Sequence, residues 1–425
     1  MRYWSGKYLV GLMFVFMFLA FDGFGQHAKR VLFLGNSYTQ VNNLPQILAD
    51  VAASVGDSVV SDRSTPGGYT LQLHSTNASS LEKIRQGGWD MLVLQEQSQL
   101  PSYPIEQVIT DVFPYARFLD SLFNVYNPCG ETVFYRTWGR KNGDASNCSW
   151  WPPVCTYEGM DSLLQLRYMM MADSNHAIVS PVGAVWKYIR QYYPDIELYQ
   201  MDESHPSQAG SYAAACSFYT AIFRKDPMSI HFDYTLSEVE AYRIRTAVKE
   251  VVFDNLSYWH VGDYDPIADF SYEPEELEVT FSNLSAQAMC YTWDFGDGEQ
   301  SNEMDPVHSY PSSGTYDVRL IALGGGYSDT ISHQITVGLT SAGDMTDIGN
   351  LTVFPNPVGD ELQMKLPKGR IVRIVIVGES GVSQEMSFVI ENHHLKVDFT
   401  QVSSGFYILK METDTEERLL KVLKR

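Results

Sequence analysis

Three short segments carry residue types suited to acyl transfer. In "VLFLGNSYTQ", Ser37 follows Gly35 and Asn36 at the end of an apolar run that starts at Val31. A serine there meets the first turn of the next helix, whose N–H groups favour developing negative charge. The same position suits a helix cap, because Ser and Asn accept the unpaired N–H groups of a first turn. In "DESHP", Asp202 precedes His205 by three residues. In a turn that spacing brings a carboxylate to one imidazole nitrogen and leaves the other for a serine hydroxyl. The alternative is an acidic turn beside an incidental surface histidine. Pro206 and Ser207 suit the start of a helix, so Asp202 and His205 would sit on one rigid junction.

Two segments between them add candidate donors. In "GGYTLQLH", Gly67 and Gly68 either bring a backbone N–H close to a substrate oxygen or form an ordinary turn, and His74 is a candidate for bonding within a cleft or for a structural role. In "LVLQEQSQLP", an apolar run ends in Gln95, Glu96, Gln97 and Ser98. An amide N–H there would stabilise an oxyanion, while the alternative role is satisfying loop backbone. Tyr135, Arg136, Trp138, Trp150 and Trp151 lie in or near a polar insertion. They are candidates for a sugar-stacking or acid-recognising rim, or for aromatic core packing.

These segments need a scaffold that brings them together. From Lys29 to about Gly262, apolar runs such as "RVLFLG", "WDMLVLQ" and "ETVFYRTW" alternate with helical spacings such as "LPQILADVAASVG" and "QAGSYAAACSFYTAIF". Continuous apolar strands alternating with amphipathic helices predict an α/β sandwich around a mostly parallel sheet. Such sheets place ligand groups at the carboxyl ends of their strands, where Ser37 and Gln97 fall. Ser237 and Glu240 have capping-box spacing at the start of the last helix. From about Asp263 to Gly338 helical periodicity gives way to short alternating strands, as in a small β-sandwich. After the linker "GLTSAGDMTDIGN", short strands resume to the end.

The chain has 425 residues and a formal charge of -21, so it is long enough for two or three domains. That acidic balance argues against nucleic acid as a partner, since such binding needs basic surface to replace phosphate counterions. Arg2 and Lys7, then "YLVGLMFVFMFLAF", then small residues ending at Gly25 have the order of a secretory signal peptide. Cleavage after Gly25 is the expectation, a single membrane anchor the alternative, and no later segment is apolar enough to span. There are five cysteines. Cys148 and Cys155 can bridge, Cys129 competes for either, and Cys216 and Cys290 are expected as buried thiols. No metal or iron–sulfur spacing is present, and no cofactor is implied.

Residues about 29–260 resemble the SGNH, or GDSL-like, hydrolase superfamily, on "GNS", "GG", "QEQS" and "DESH". The resemblance implies a three-layer α/β/α flavodoxin-like fold. It makes Ser37 the nucleophile and first oxyanion donor, Gly68 the second donor, Asp202 the orienter and His205 the base. Where the family has Gly-x-Asn-Asp, this chain has "QEQS", so Gln97 stands for the catalytic amide, and Asn36 stands for the family's Asp. Asn36, Gly67, His74, Glu96 and Trp138 are the expected substrate-contacting residues. "YTWDFGDGEQSNEMDPVHSYPSSGTYDVRLIA" resembles the PKD domain, an immunoglobulin-like sandwich in which Trp293 and Phe295 pack and Asp297 and Gly298 shape a turn. "VFPNPVGDEL", "SSGFYILKM" and "LLKVLKR" resemble the C-terminal sorting domain of the type IX secretion system.

The expected organisation is a signal peptide over 1–25, a catalytic domain over 26–262, a PKD domain over 263–340, and a linker with sorting domain over 341–425. The expected activity is that of a secreted serine esterase, cleaving an acyl ester, acetyl foremost, on a carbohydrate. Its expected partners are a small-molecule or polysaccharide acyl ester and the type IX machinery of a Gram-negative bacterium, with release or surface attachment. The reading of a different class is an inactive SGNH-like binding or adhesion protein.

Overall fold

The computed structural model of the protein describes residues 28–338, 353–354, 357–365, 370–378, 383–391, 394–414 and 417–425. The expected signal peptide and the linker after Gly338 lie outside the described residues. Five parallel strands form the central sheet: β1 (Lys29–Leu34), β2 (Val59–Ser64), β3 (Met91–Leu94), β4 (Glu131–Tyr135) and β5 (Ile178–Ser180). Their order is β2-β1-β3-β4-β5, and every neighbouring pair is parallel. Val31 to Leu34 and Met91 to Leu94 are buried, which explains why these strands are continuously apolar rather than alternating.

The helices are α1 (Ser37–Gln40), α2 (Leu44–Ala53), α3 (Leu71–Thr76), α4 (Ala78–Arg85), α5 (Ile105–Asp111), α6 (Phe113–Tyr126), α7 (Tyr157–Asn175), α8 (Val182–Tyr192), α9 (Gln208–Phe223) and α10 (Glu238–Val251). Helices α2, α8, α9 and α10 pack together on one side of the sheet, and α3, α4, α6 and α7 on the other. This is the three-layer α/β/α arrangement, with its order reversing between β1 and β3, where such folds open a crevice. Helix α9 is buried nearly all round, because it is covered by α2, α8 and α10. The Ser237–Glu240 capping box is present at α10. No helix among the described residues is long and apolar enough to cross a membrane.

A β-sandwich follows, with one sheet of three strands and one of four. Phe270, Phe281, Trp293, Phe295, Val318 and Leu320 fill it. Its long hairpin, of strands Gly314–Gly324 and Tyr327–Val337, turns at Gly325 and Gly326, both at positive φ. That turn meets the amino end of the parallel sheet, where Gly326 N donates to Cys129 O at 2.7 Å and Tyr327 Oη to Ile222 O at 2.6 Å. Cys129 and Cys290 form a disulfide across this junction, which corrects the expectation of a buried thiol at Cys290. The partners are 161 residues apart, beyond the reach of any spacing argument. Cys148 and Cys155 form the second disulfide, and Cys216 is a buried free thiol.

The chain divides into two compact units at residues 339–340. The second contains two four-stranded antiparallel sheets. Leu362, Met364, Ile374, Val397, Leu409 and Met411 form its core.

Candidate active site

The strand β1 delivers Ser37 through a tight turn. A Cβ on Gly35 would lie 2.7 Å from both Gln95 Oε1 and Thr39 Oγ1, so only glycine fits there. Asn36 then takes the N-cap of α1, its side chain accepting from Tyr38 N at 3.1 Å. The cap is therefore Asn36 and not Ser37, which begins the helix with its hydroxyl uncommitted to capping. Asn36 Nδ2 also donates to Tyr69 O at 3.0 Å and Glu96 O at 3.4 Å, tying the loops after β2 and β3 to this turn.

His205 Nε2 lies 2.8 Å from Ser37 Oγ, and His205 Nδ1 lies 2.5 Å from Asp202 Oδ2. With Asp202 accepting at Nδ1–H, the imidazole presents a bare Nε2 to the hydroxyl. Asp202 Oδ1 also accepts from Ser204 N at 3.1 Å and His205 N at 3.0 Å, which folds the carboxylate back over its own turn. Burial pushes the Asp202 pKa up, but the His205 and backbone bonds outweigh it and hold the group below its ordinary value. Glu203 sits at φ +59 between them, with its carbonyl accepting from Lys141 N at 3.0 Å. A non-glycine residue in that region costs about 1–2 kcal/mol, offset by the surrounding bonds.

Tyr38, Ser204 and Asn42, which the sequence did not single out, hold the two segments together with Trp138. Tyr38 Oη and Ser204 Oγ are 2.6 Å apart, and Trp138 Nε1 donates to Ser204 O at 3.0 Å. Asn42 Nδ2 reaches Pro206 O, Ser207 O and Ser211 Oγ, binding the α1 region to the start of α9. Asn42 and Asn43 both have positive φ, and consecutive asparagines before a helix are a signal that could have drawn attention to this turn.

The loop after β3 is held by its own polar groups. Gln95 Oε1 accepts from Asn36 N at 2.9 Å, and Glu96 accepts from Leu71 N and Gln97 N. Burial pushes the Glu96 carboxyl up to about 8, against the pull of those two N–H groups. The Gln97 amide lies at the loop's surface, half-buried. Gly68 has φ +73 in an exposed turn closed by Tyr69 N donating to Pro66 O at 3.2 Å, and a Cβ there would meet nothing. Glycine at 68 is thus a backbone requirement, and Gly67 shares the exposed turn.

Several expected substrate contacts have other roles. His74 is fully buried, with Nδ1 on Ser80 Oγ and Nε2 on Gly35 O, each at 2.8 Å. Burial pushes its pKa down to about 4, so it is a neutral brace for the Gly35 turn rather than a cleft residue. Trp138 is buried between Tyr38 and Trp186, its ring stacked on both, and faces no substrate. Asn36 and Glu96 are likewise buried and spend their polar atoms on the protein. Arg136 pairs with Asp161 at 2.8 Å with both side chains buried, and Tyr135 is buried too, so neither forms a rim. Trp151 Nε1 donates to Ser102 O, whereas Trp150 is 50% exposed and meets Tyr103 edge-on.

Residues 267–337 match the PKD domain, and residues 352–425 match the secretion system C-terminal sorting domain. The sorting domain indicates secretion or placement at the outer surface of a Gram-negative cell. A curated relative, the pre-pro-metalloprotease PrtV of Vibrio cholerae, is 39% identical over 77 residues, 17% of this chain. The chain spans about 8% of that relative's length. Among solved structures, a DUF4886 family protein from Bacteroides uniformis is 15% identical with a TM-score of 0.47, covering 55% of this chain and 96% of its own. A proposed SGNH hydrolase from Slackia heliotrinireducens is 25% identical with a TM-score of 0.38, covering 45% and 98%.

Proposed function

We propose that this chain is an exported serine hydrolase of carboxylic esters, with Ser37 as nucleophile, His205 as base and Asp202 as orienter. The observation that carries this reading is the unbroken line from Ser37 Oγ through both nitrogens of His205 to Asp202. The likeness of its four motifs to the SGNH hydrolases supports it, as does the position of "GNS" and "QEQS" directly after β1 and β3. In this reading the catalytic domain spans 26–262, and the two β modules serve placement and export rather than chemistry.

His205 Nε2 takes the Ser37 proton as Oγ attacks the ester carbonyl carbon. The carbonyl oxygen becomes an oxyanion held by the N–H groups of Ser37 and Gly68 and by the Gln97 amide. Collapse breaks the carbon–alkoxy bond, and the leaving oxygen takes the proton from His205. Water, deprotonated by His205, then cleaves the acyl-enzyme, releasing the acid and restoring Ser37. Acetyl on a carbohydrate is the proposed substrate class, because exposed Trp150 beside Tyr103 offers a face on which a sugar ring can stack.

The test is turnover of short-chain nitrophenyl esters and acetylated polysaccharides by the mature protein and by Ser37→Ala. Wild-type turnover with a loss of about 10⁴-fold or more in the variant is expected. Equal rates, or no turnover across the panel, would remove the esterase reading and favour a binding role.

A further inference from the structure

We propose that Gln99, Asp144 and the Cys148–Cys155 loop form a positioning relay that dictates which end of the Gln97 amide meets the substrate. The inference rests on the reading of Gln97 as an oxyanion donor. Gln97 Oε1 accepts from Gln99 N at 2.7 Å and Leu100 N at 3.2 Å, and Gln97 Nε2 donates to Gln99 Oε1 at 3.1 Å. Gln99 Nε2 in turn donates to Asp144 Oδ2 at 2.6 Å.

The donor and acceptor sense of this chain follows from its last member. The Asp144 side chain is fully buried, and it also accepts from Asn147 Nδ2 at 2.6 Å, Ser146 N at 3.2 Å and Arg140 Nη1 at 3.3 Å. Burial raises its pKa, but these bonds outweigh that and hold it below the ordinary value, so the group is an acceptor alone. Gln99 must therefore turn its NH₂ toward Asp144 and its oxygen toward Gln97. Gln97 must then turn its own NH₂ toward Gln99, and its oxygen toward two backbone donors. A flipped Gln97 would set donor against donor at Gln99 N and Leu100 N and acceptor against acceptor at Gln99 Oε1, each mismatch costing a desolvated polar group. One Nε2–H is consumed by Gln99, and the other carries no bond among the described residues. That remaining N–H is what an oxyanion requires.

Asp144 is itself held by the disulfide loop. Its N donates to Val154 O at 2.7 Å, beside Cys155, and its carbonyl accepts from Cys148 N at 2.9 Å. Gly143 at φ +86 lets the strands of the loop close, since a Cβ there would lie 2.5 Å from the Cys155 backbone. The bridge between Cys148 and Cys155, seven residues apart, thus anchors the far end of the relay.

Gln99→Met removes both side-chain links while leaving the Asp144 loop intact. In the full oxidised protein, with a short-chain nitrophenyl ester, it should lower kcat about tenfold with KM changed less than about twofold. Gln97→Ala should lower kcat about a hundredfold, and the double variant should match Gln97→Ala, because the relay acts through Gln97. Cys148→Ser with Cys155→Ser should give a smaller loss that also vanishes in the Gln97→Ala background. An unchanged kcat in Gln99→Met, or a second tenfold cost added to Gln97→Ala, overturns the relay. If wild type and Ser37→Ala turn over equally, the esterase reading has failed instead. A crystal structure of Gln99→Met then decides the relay alone: a rotated Gln97 amide supports it, and an unmoved one overturns it.

Discussion

At the carboxyl end of the parallel sheet, Ser37 Oγ meets His205 Nε2 at 2.8 Å and the Gln97 amide keeps one N–H with no bond among the described residues. At the amino end, comparable groups are spent on fastening a second folded part. Lys29 donates to Gly326 O, Arg224 pairs with Asp265 and lies 3.4 Å over the Tyr327 ring, and the Cys129–Cys290 bridge closes the junction. The contrast teaches that burial of polar groups does not by itself mark a reactive site. At the junction Lys29 and both terminal nitrogens of Arg224 are matched by protein, whereas at the carboxyl end an amide N–H of Gln97 is not.

Three sets of substitutions test that contrast. The largest effect is expected from Asp202→Asn, which reverses the donor sense at His205 Nδ1 and should cut kcat about 10⁴-fold while the thermal midpoint barely moves. A fall of less than tenfold would show that Asp202 merely stabilises its turn. Next, Cys129→Ser with Cys290→Ser should lower stability by about 2–5 kcal/mol in denaturant titration with kcat unchanged. Loss of turnover at equal folded fraction would mean that the two ends of the sheet are coupled.

The smallest effect concerns Asp120, which lines a cleft of about 580 Å³ at the amino end together with Glu131, His176 and Tyr264. Burial pushes its carboxyl up to about 6, against the bond from Asn124 Nδ2. The folded state therefore keeps a proton that the unfolded chain releases near pH 4, and the resulting stability is lost as pH rises to about 6. Asp120→Asn lacks that loss, so the variant should gain about 2 kcal/mol relative to wild type between pH 4 and pH 7. Parallel pH dependence in urea titrations of the two proteins would refute this.

Much of the α/β scaffold was legible because buried parallel strands and amphipathic helices leave their own periodicities. "RVLFLG" and "WDMLVLQ" became β1 and β3, and the Ser237–Glu240 spacing became a capping box. The proximity of Ser37 and His205 was foreshadowed by motif chemistry at strand and helix ends. The roles of His74 and Trp138 stayed open because a polar or aromatic residue near a motif looks the same in sequence whether it faces a cleft or a core. Their burial depends on Gly35, Ser80, Tyr38 and Trp186, which arrive from separate elements.

By itself the sequence determined what is local: strand and helix periods, the Asp202–His205 turn, the glycines at 35 and 68, and the compositional break near Asp263. Tertiary structure alone decided what depends on distant partners. It joined Cys129 to Cys290 and set the Gln97 amide through an acceptor 47 positions further along the chain, at Asp144. The physical reason is that a side chain's periodicity is set by its own backbone, whereas the sense of a hydrogen bond is set by whatever the fold brings opposite it.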